Sequence, residues 1–441
     1  MVEITFLDVF ISIVIVFIGL GFTSKKTKLN IKEKPYYLYY KKGLIYKFIG
    51  ATLFCLIYLF YYRGGDTTNY FLGAKAMYNV FWKSPSEYFF ILFHTNDGFA
   101  WAKFDIDTGY PPVYMFRDFR TYLVMKITSL ICLITQGGFL STTLLLALIS
   151  YRWIWQLYEI VVIRYLTIQK ELAFSFLMIP SVVFWGSGIM KDTFTFSATC
   201  YSFCAVYNIF IAKKSRLKNI LYLTFAVYII LSIKSYILFA LLPGLIVFTN
   251  FERIKNVGSI FTKIIVIPGI FVGLIFLLQV LLVDFSDMFG RYSSDRILEE
   301  AAIQQQDLKR VVYGSNSFDI GEFEPTLPGV FAKFPFAVNA AVFRPYLWET
   351  GSPTMLISGI ENIIILSISI YFLLIVGPAK ILLSIFKDPY LIFCFLFTLI
   401  LGFGVGLSTS NFGALVRYKI PFMPFFVSLL FIINKKRKLK P

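Results

Sequence analysis

The sequence contains few charged residues, a single histidine and few cysteines. Only 15% of its 441 residues are charged, so a water-soluble fold would have too little polar surface to cover itself. Because His94 is the only histidine, zinc, haem and di-iron sites that need several histidines are excluded. The cysteines lie in or beside apolar runs, which is typical of small core residues and not of a disulfide framework. They are Cys55, Cys132, Cys200, Cys204 and Cys394.

The sequence is instead rich in hydrophobic residues, at 58% of the chain with a mean hydropathy of +0.72. They form runs of about twenty, the length at which a helix crosses a hydrocarbon core of roughly 30 Å. Helices satisfy every backbone polar group internally. We therefore predict an all-α integral membrane protein, one polytopic domain over residues 1–441 with about eleven transmembrane helices. The predicted spans are residues 4–22, 46–62, 139–160, 172–188, 193–212, 218–233, 235–249, 260–283, 356–376, 388–407 and 418–434.

The net charge of +17 is concentrated in short basic segments between the apolar runs. By the positive-inside rule these segments face the cytoplasm, which places the N-terminus outside and the C-terminus inside. The distribution favours membrane lipids as partners and not nucleic acid.

This topology predicts two long outer loops, residues 63–120 and 284–355, that carry interfacial helices. We interpret residues 120–136 as a helix in or dipping into the outer interface, because Lys126 interrupts the run. Residues 295–312 have apolar positions near helical spacing and predict a helix on the membrane surface, or a solvated helix packed on the bundle.

The first polar motif is Arg63-Gly-Gly-Asp66-Thr-Thr-Asn-Tyr70, directly after a predicted span. The two glycines let the backbone turn and present Asp66, whose carboxylate is suited to act as a general base toward a sugar hydroxyl. Arg63 and Tyr70 are candidates to contact the substrate. The alternative is that Asp66 caps a helix over residues 67–78.

The second motif is Asp105-Ile-Asp107, whose spacing would let two carboxylates reach one divalent cation that bridges donor phosphates. The alternative is a pair of solvated loop charges.

The third motif is Trp185-Gly-Ser-Gly-Ile-Met-Lys191-Asp192, between two predicted spans. Small residues let helices approach closely, and adjacent charges near lipid need a partner or a polar cavity. Lys191 and Asp192 are therefore candidate catalytic residues, unless they only neutralise each other.

The fourth motif combines residues 343–349 with residues 410–419. Arginine grips phosphate oxygens with a planar fork of donors, so Arg344 and Arg417 are suited to a lipid-linked pyrophosphate. The remaining candidates for substrate binding in these segments are Glu349, Asn411, Tyr418 and Lys419. The alternative is that these arginines and aromatic residues anchor the protein at the interface.

These segments resemble those of bacterial surface-polysaccharide enzymes, the GT-C glycosyltransferases and the O-antigen polymerase (Wzy-like) group. Asp66 occupies a position similar to the acidic residue of an early outer loop that serves catalysis in GT-C enzymes. The Trp185 to Asp192 turn is similar to one found in relatives of both groups. Many GT-C members carry paired acidic residues in the first outer loop, whereas Asp66 is alone and Asp105 with Asp107 follow later. The use of a divalent cation therefore stays open.

The resemblance implies transfer of a sugar or oligosaccharide from a polyprenyl-phosphate or pyrophosphate carrier to a glycan, on the outer face of the bacterial cytoplasmic membrane. Two other classes stay open. A transporter or flippase of lipid-linked glycans would line a cavity with charges near the bilayer midplane. A non-catalytic assembly scaffold is the third.

Overall fold

The computed structural model describes residues 2–256, 317–321 and 327–438. In these ranges the regular structure is helical, with one isolated bridge between Ser317 and Asn411. The first thirteen helices are α1 Phe6–Asn30, α2 Leu38–Leu56, α3 Asp66–Lys83, α4 Pro85–Phe93, α5 Gly98–Trp101, α6 Val113–Arg117, α7 Phe119–Thr135, α8 Phe139–Arg164, α9 Gln169–Ala173, α10 Pro180–Trp185, α11 Lys191–Val206, α12 Arg216–Thr249 and α13 Phe251–Asn256. The later helices are α14 Leu327–Ala332, α15 Phe334–Phe343, α16 Pro353–Val376, α17 Pro378–Phe386, α18 Pro389–Ser408, α19 Phe412–Tyr418 and α20 Met423–Lys438. Short 3-10 and π segments are Pro35–Tyr37, Ile57–Tyr61, Leu166–Ile168, Phe174–Met178, Tyr207–Ile211 and Leu347–Glu349.

The described helices support an all-α, multi-pass membrane protein. Seven of them are long and apolar enough to cross a membrane, or eight if α19 and α20, bent by 64°, form one broken span. The predicted span 172–188 consists of short pieces that meet at Ile179, before Pro180. The predicted spans 218–233 and 235–249 are joined in α12, with non-helical torsion angles at Lys234. Residues 260–283 and 295–312 lie outside the described residues.

The predicted first outer loop, residues 63–120, contains four helices, α3 to α6. The helix expected at residues 120–136 is α7, which packs along α3 and buries Lys126. Of the predicted second outer loop, the described part contains α14, α15 and a 3-10 turn. The five cysteines are buried and are not in disulfides, as predicted.

The chain divides into two compact units, and the boundary falls within α11 and α12. Unit 1 comprises Met1–Ser202 and Thr224–Lys234, and unit 2 comprises Phe203–Leu223 and Ser235–Pro441.

In unit 1, α2 packs against α1, α8 and α10. A Cβ atom at Gly50 of α2 would collide with the backbone of Val183 in α10, so a glycine is required at this helix contact. The buried carboxylate of Asp8 in α1 accepts the N–H groups of Leu140 and Ser141 at 3.0 and 2.8 Å. It thereby satisfies donors that the first turn of α8 leaves without an intrahelical partner.

In unit 2, α15 packs against α18, and α20 packs against α16 and α18. The core between them is aromatic, with ring centroids of Phe393 lying 4.7 Å from Phe203 and 5.3 Å from Phe425. The Lys436 ammonium lies 2.6 Å from the Asp388 carboxylate, which also accepts the Tyr390 N–H at the start of α18.

Candidate functional site

Three helices of unit 1 begin at or directly after an acidic or basic residue that the structure brings near the others. α3 begins at Asp66, α7 follows its N-cap Asp118, and α11 begins at Lys191. Helix N-termini carry a partial positive charge that favours carboxylates such as Asp66 and Asp118 and disfavours a lysine. Lys191 at such a position therefore needs an acidic partner.

That partner is Asp118, whose carboxylate lies 2.9 Å from the Lys191 ammonium. Asp118 also accepts the Arg120 N–H at 3.2 Å and the Thr121 hydroxyl at 2.5 Å. Burial raises the pKa of the Asp118 carboxyl, but the Lys191 charge and these hydrogen bonds outweigh burial and hold it below its usual range. Asp118 is therefore ionised at neutral pH, and its hydrogen bonds hold the carboxylate in place.

Asp66 and Arg120 both lie near enough to act electrostatically on Lys191. The Asp66 carboxylate is half-buried. Burial and the charge of Asp66 raise the pKa of Tyr114, whose hydroxyl accepts a hydrogen bond from the Asn69 amide at 2.7 Å. We call Asp66, Asp118, Arg120 and Lys191 the unit 1 charged cluster.

The backbone turns directly before Asp66, at the start of α3. Arg63, Gly64 and Gly65 all have positive φ values, of 54°, 142° and 129°. At the last two values only glycine avoids strain. Gly65 is the N-cap of α3 and Asp66 its first residue, so Asp66 is in the first turn and is not the cap. Arg63 is exposed on this turn and Tyr70 is buried on α3.

Lys191 and Asp192 do not neutralise each other, because each pairs with a different element. The Asp192 carboxylate lies 2.6 Å from the Lys234 ammonium, and their side chains are 2% and 9% exposed. Lys234 has φ −145° and ψ 72°, where α12 departs from helical geometry. Consecutive residues of α11 therefore form two different ion pairs. The Lys191–Asp118 pair is partly exposed, and the Asp192–Lys234 pair is buried.

The turn before Lys191 contacts a second buried lysine. Lys47 of α2 is 3% exposed and donates a hydrogen bond to the Gly186 carbonyl. The Thr193 hydroxyl donates to the Gly188 carbonyl at 2.6 Å. A Cβ at Gly188 would collide with the Phe54 ring, so this turn packs directly on α2.

The carboxylates of Asp105 and Asp107 share one cation, Lys83, in an ion pair with each. Hydrogen bonding from Lys83, with that from the Thr108 N–H, lowers the pKa of Asp105 to about 2. Within the described ranges no group of three or more histidine, cysteine or acidic side chains could hold a metal ion. A divalent cation at the two aspartates would have to displace Lys83.

In unit 2 the structure brings together three of the residues in the fourth motif, Arg344, Glu349 and Lys419. The Arg344 Nε atom lies 2.9 and 3.1 Å from the two oxygens of Glu349, and Nη2 also bonds Glu349. The buried Lys419 ammonium donates to the Asn362 side chain at 2.5 Å and to the Arg344 carbonyl at 3.3 Å. The Asn411 side chain accepts the Ala414 N–H at the start of α19.

The guanidinium of Arg344 is also enclosed by aromatic rings, at 4.7 Å from the centroid of Phe318 and 5.7 Å from that of Phe412. Arg417 is half-buried near the end of α19, and the Tyr418 ring lies 6.4 Å from that of Tyr236. We call Arg344, Glu349 and Lys419 the unit 2 charged cluster.

The sequence analysis selected none of Asp118, Arg120, Lys47 and Lys234 as site residues. The closely spaced charges of Arg117-Asp118-Phe-Arg120, directly before an apolar helix, are a signal that could have found the first two. No protein-family model, no curated protein and no solved structure matches the chain.

Proposed function

We propose that this protein is a membrane-embedded glycosyltransferase or polysaccharide polymerase that uses a polyprenyl-phosphate-linked or pyrophosphate-linked sugar donor. The observation that carries the proposal is the unit 1 charged cluster, where an aspartate, a lysine and its fixed carboxylate meet at three helix N-termini. Such termini favour phosphate through their backbone N–H groups and dipoles. The cluster thus combines a base with a phosphate-binding environment.

In the proposed reaction the oxygen of an acceptor hydroxyl attacks the anomeric carbon of the donor sugar. The bond between that carbon and the phosphate oxygen breaks, and the polyprenyl (pyro)phosphate leaves with the bonding electrons. Asp66 takes the proton of the acceptor hydroxyl, as a general base. Lys191, held by Asp118 and followed in the chain by Asp192, stabilises the negative charge on the leaving phosphate.

Arg344 and Arg417 of unit 2 are proposed to hold phosphate oxygens of a lipid-linked glycan. Because Arg344 already bonds Glu349 with its planar fork, phosphate binding by Arg344 requires exchange of Glu349 for the ligand. Arg63, Tyr70, Asn411, Tyr418 and Lys419 stay proposed substrate contacts. Asp105 and Asp107 stay the proposed metal ligands if the reaction uses a divalent cation.

We place this reaction on the outer face of the bacterial cytoplasmic membrane. The proposed topology has about eleven spans, an external N-terminus and a cytoplasmic C-terminus. The basic segments between apolar runs support this topology.

A transporter or flippase of lipid-linked glycans is the second candidate, and one observation favours it. The buried pair of Asp192 and Lys234 lies at a break in α12, and transporters commonly place charged sites at interrupted helices. A non-catalytic scaffold is supported by no comparable feature of the described residues.

The test of the enzyme proposal is Asp66→Asn in purified protein supplied with a lipid-linked glycan. We expect glycan formation to fall by about 100-fold or more, the usual worth of a positioned base. Glu87→Gln is the control, because Glu87 is a partly exposed carboxylate of α4 that pairs with Lys103 and has no proposed role in the reaction, and it should retain its activity. Near-normal product from folded Asp66→Asn would remove Asp66 as the base. Movement of the lipid-linked glycan across a vesicle membrane, with no glycan product formed, would favour the transporter.

A further inference from the structure

An open groove follows one side of α1 in unit 1, where α1 meets α2 and α8. Its volume is about 590 Å³. α1 contributes Val9, Ile13, Phe17 and Gly21, which recur every four residues and so lie on one face of the helix. The walls are therefore mainly hydrocarbon, and among the described residues Lys41 of α2 is the one charged residue that lines the groove.

The groove has two chemically different ends. At one end Val9 and Leu140 line the groove, and the Leu140 N–H donates a hydrogen bond to Asp8 of α1. At the other end the chain turns from α1 into α2, where the Thr27 hydroxyl donates to the Tyr37 carbonyl at 3.3 Å. This turn brings Lys41 to the Gly21 end of α1. The groove is thus apolar at one end and basic at the other.

The dimensions suit an extended hydrocarbon chain. The lining of α1 runs from Val9 to Ser24, a helical rise of roughly 22 Å at 1.5 Å per residue. This exceeds the roughly 15 Å depth of one leaflet, which is half of a 30 Å hydrocarbon core. An acyl chain anchored at the basic end therefore remains within the groove along its length.

The charge at the basic end selects an anionic headgroup. Lys41 is exposed, and residues 25–42 contain seven lysines but only one acidic residue, Glu33. Clusters of basic residues beside a membrane span attract anionic lipid headgroups. A zwitterionic lipid would gain less from this end of the groove.

We propose that the groove between α1, α2 and α8 binds one anionic diacyl phospholipid, with an acyl chain along α1 and its phosphate at Lys41. This site is separate from the unit 1 charged cluster, and it does not depend on the proposed glycosyl transfer.

Gly21 provides a way to fill the groove without disturbing the helix packing. A Cβ atom at Gly21 would meet nothing within 4 Å. The Gly21→Phe ring would therefore occupy space that the acyl chain uses. The matched control is Gly404→Phe, because Gly404 of α18 is also helical, exposed and free of neighbours within 4 Å of a Cβ.

The experiment exchanges the purified full chain into vesicles with equal phosphatidylglycerol and phosphatidylcholine, then counts retained lipids by native mass spectrometry. We expect one phosphatidylglycerol on the wild-type protein. Gly21→Phe should weaken its retention by about tenfold, the equivalent of about two displaced methylene groups. Lys41→Glu should reduce the preference for phosphatidylglycerol by about fivefold or more, whereas Lys42→Glu, outside the groove lining, should change it less.

Five results would overturn the proposal. Equal retention of the two lipids by the wild-type protein would remove the headgroup assignment. Unchanged retention in a folded Gly21→Phe variant, or equal losses in Gly21→Phe and Gly404→Phe, would remove the groove as the site. Displacement of phosphatidylglycerol by added polyprenyl phosphate, or formation of a dimer that Gly21→Phe disrupts, would assign the groove to another occupant.

Discussion

The charged clusters of the two units differ in how far water reaches them. In the unit 1 cluster the side chains of Lys191 and Asp118 are 19% and 44% exposed, so the carboxylate is the accessible partner. In the unit 2 cluster the side chains of Arg344 and Glu349 are 19% and 15% exposed. A pair with one exposed partner contributes less to stability than an enclosed pair and leaves that partner accessible to a ligand, whereas an enclosed pair is costly to separate.

The same contrast occurs within unit 1 on two consecutive residues. Lys191 forms the accessible pair with Asp118, and Asp192 forms the buried pair with Lys234. Successive helical residues point about 100° apart, so neighbours in sequence serve different surroundings. Charge in a motif therefore does not identify a catalytic group until its surroundings are known.

The largest expected effect separates these two pairs. Lys234→Met removes the ammonium from the buried Asp192 carboxylate and should lower the free energy of unfolding by about 3–5 kcal/mol. Lys191→Met, beside the more exposed Asp118, should cost about 1 kcal/mol or less. Chemical denaturation in detergent measures both. Equal losses of unfolding free energy in the two variants would show that burial does not distinguish the Asp192–Lys234 pair from the Asp118–Lys191 pair.

The next effect concerns the enclosed pair of unit 2. Arg344→Lys keeps the charge but loses the fork toward Glu349, which should cost about 1–3 kcal/mol of stability. If Arg344 also holds phosphate, binding of a polyprenyl-pyrophosphate glycan should fall by roughly 30-fold where the variant is still folded.

Arg417→Lys should show a similar loss of binding, and the exposed Arg253→Lys is the control that should leave binding unchanged. Unchanged binding in both Arg344→Lys and Arg417→Lys would leave these two arginines with a structural role only.

The smallest effect concerns the exposed pair of Lys83 and Asp105. The pKa of Asp105 is lowered from 3.8 to about 2, so its contribution to stability is present above pH 4 and is lost as the pH falls toward 2. The melting temperature of the wild-type protein should therefore fall slightly more than that of Asp105→Asn between pH 5 and pH 2.5. Salt should reduce the difference. Identical acid dependence in the two proteins would show that this pair does not matter for stability.

The sequence by itself determined the class of this protein and the approximate positions of its most apolar helices. The predicted spans 139–160, 356–376 and 388–407 correspond closely to α8, α16 and α18, because a run of about twenty apolar residues forms a helix wherever the bilayer is the solvent. The predicted spans 218–233 and 235–249 meet at Lys234, where the single helix α12 departs from helical geometry. The sequence did not show that the predicted span 172–188 is divided into short helical segments with a break at Ile179.

Only the tertiary structure decided which charges meet. Asp118 and Lys191 are 73 positions apart, and Asp192 and Lys234 are 42 apart. Their pairing depends on how α7, α11 and α12 pack in unit 1, and hydrophobic periodicity carries no information about such distant partners. For the same reason the sequence did not show that the guanidinium of Arg344, a proposed phosphate ligand, bonds Glu349. A residue type specifies which interactions a side chain is able to make, and packing selects the one that forms.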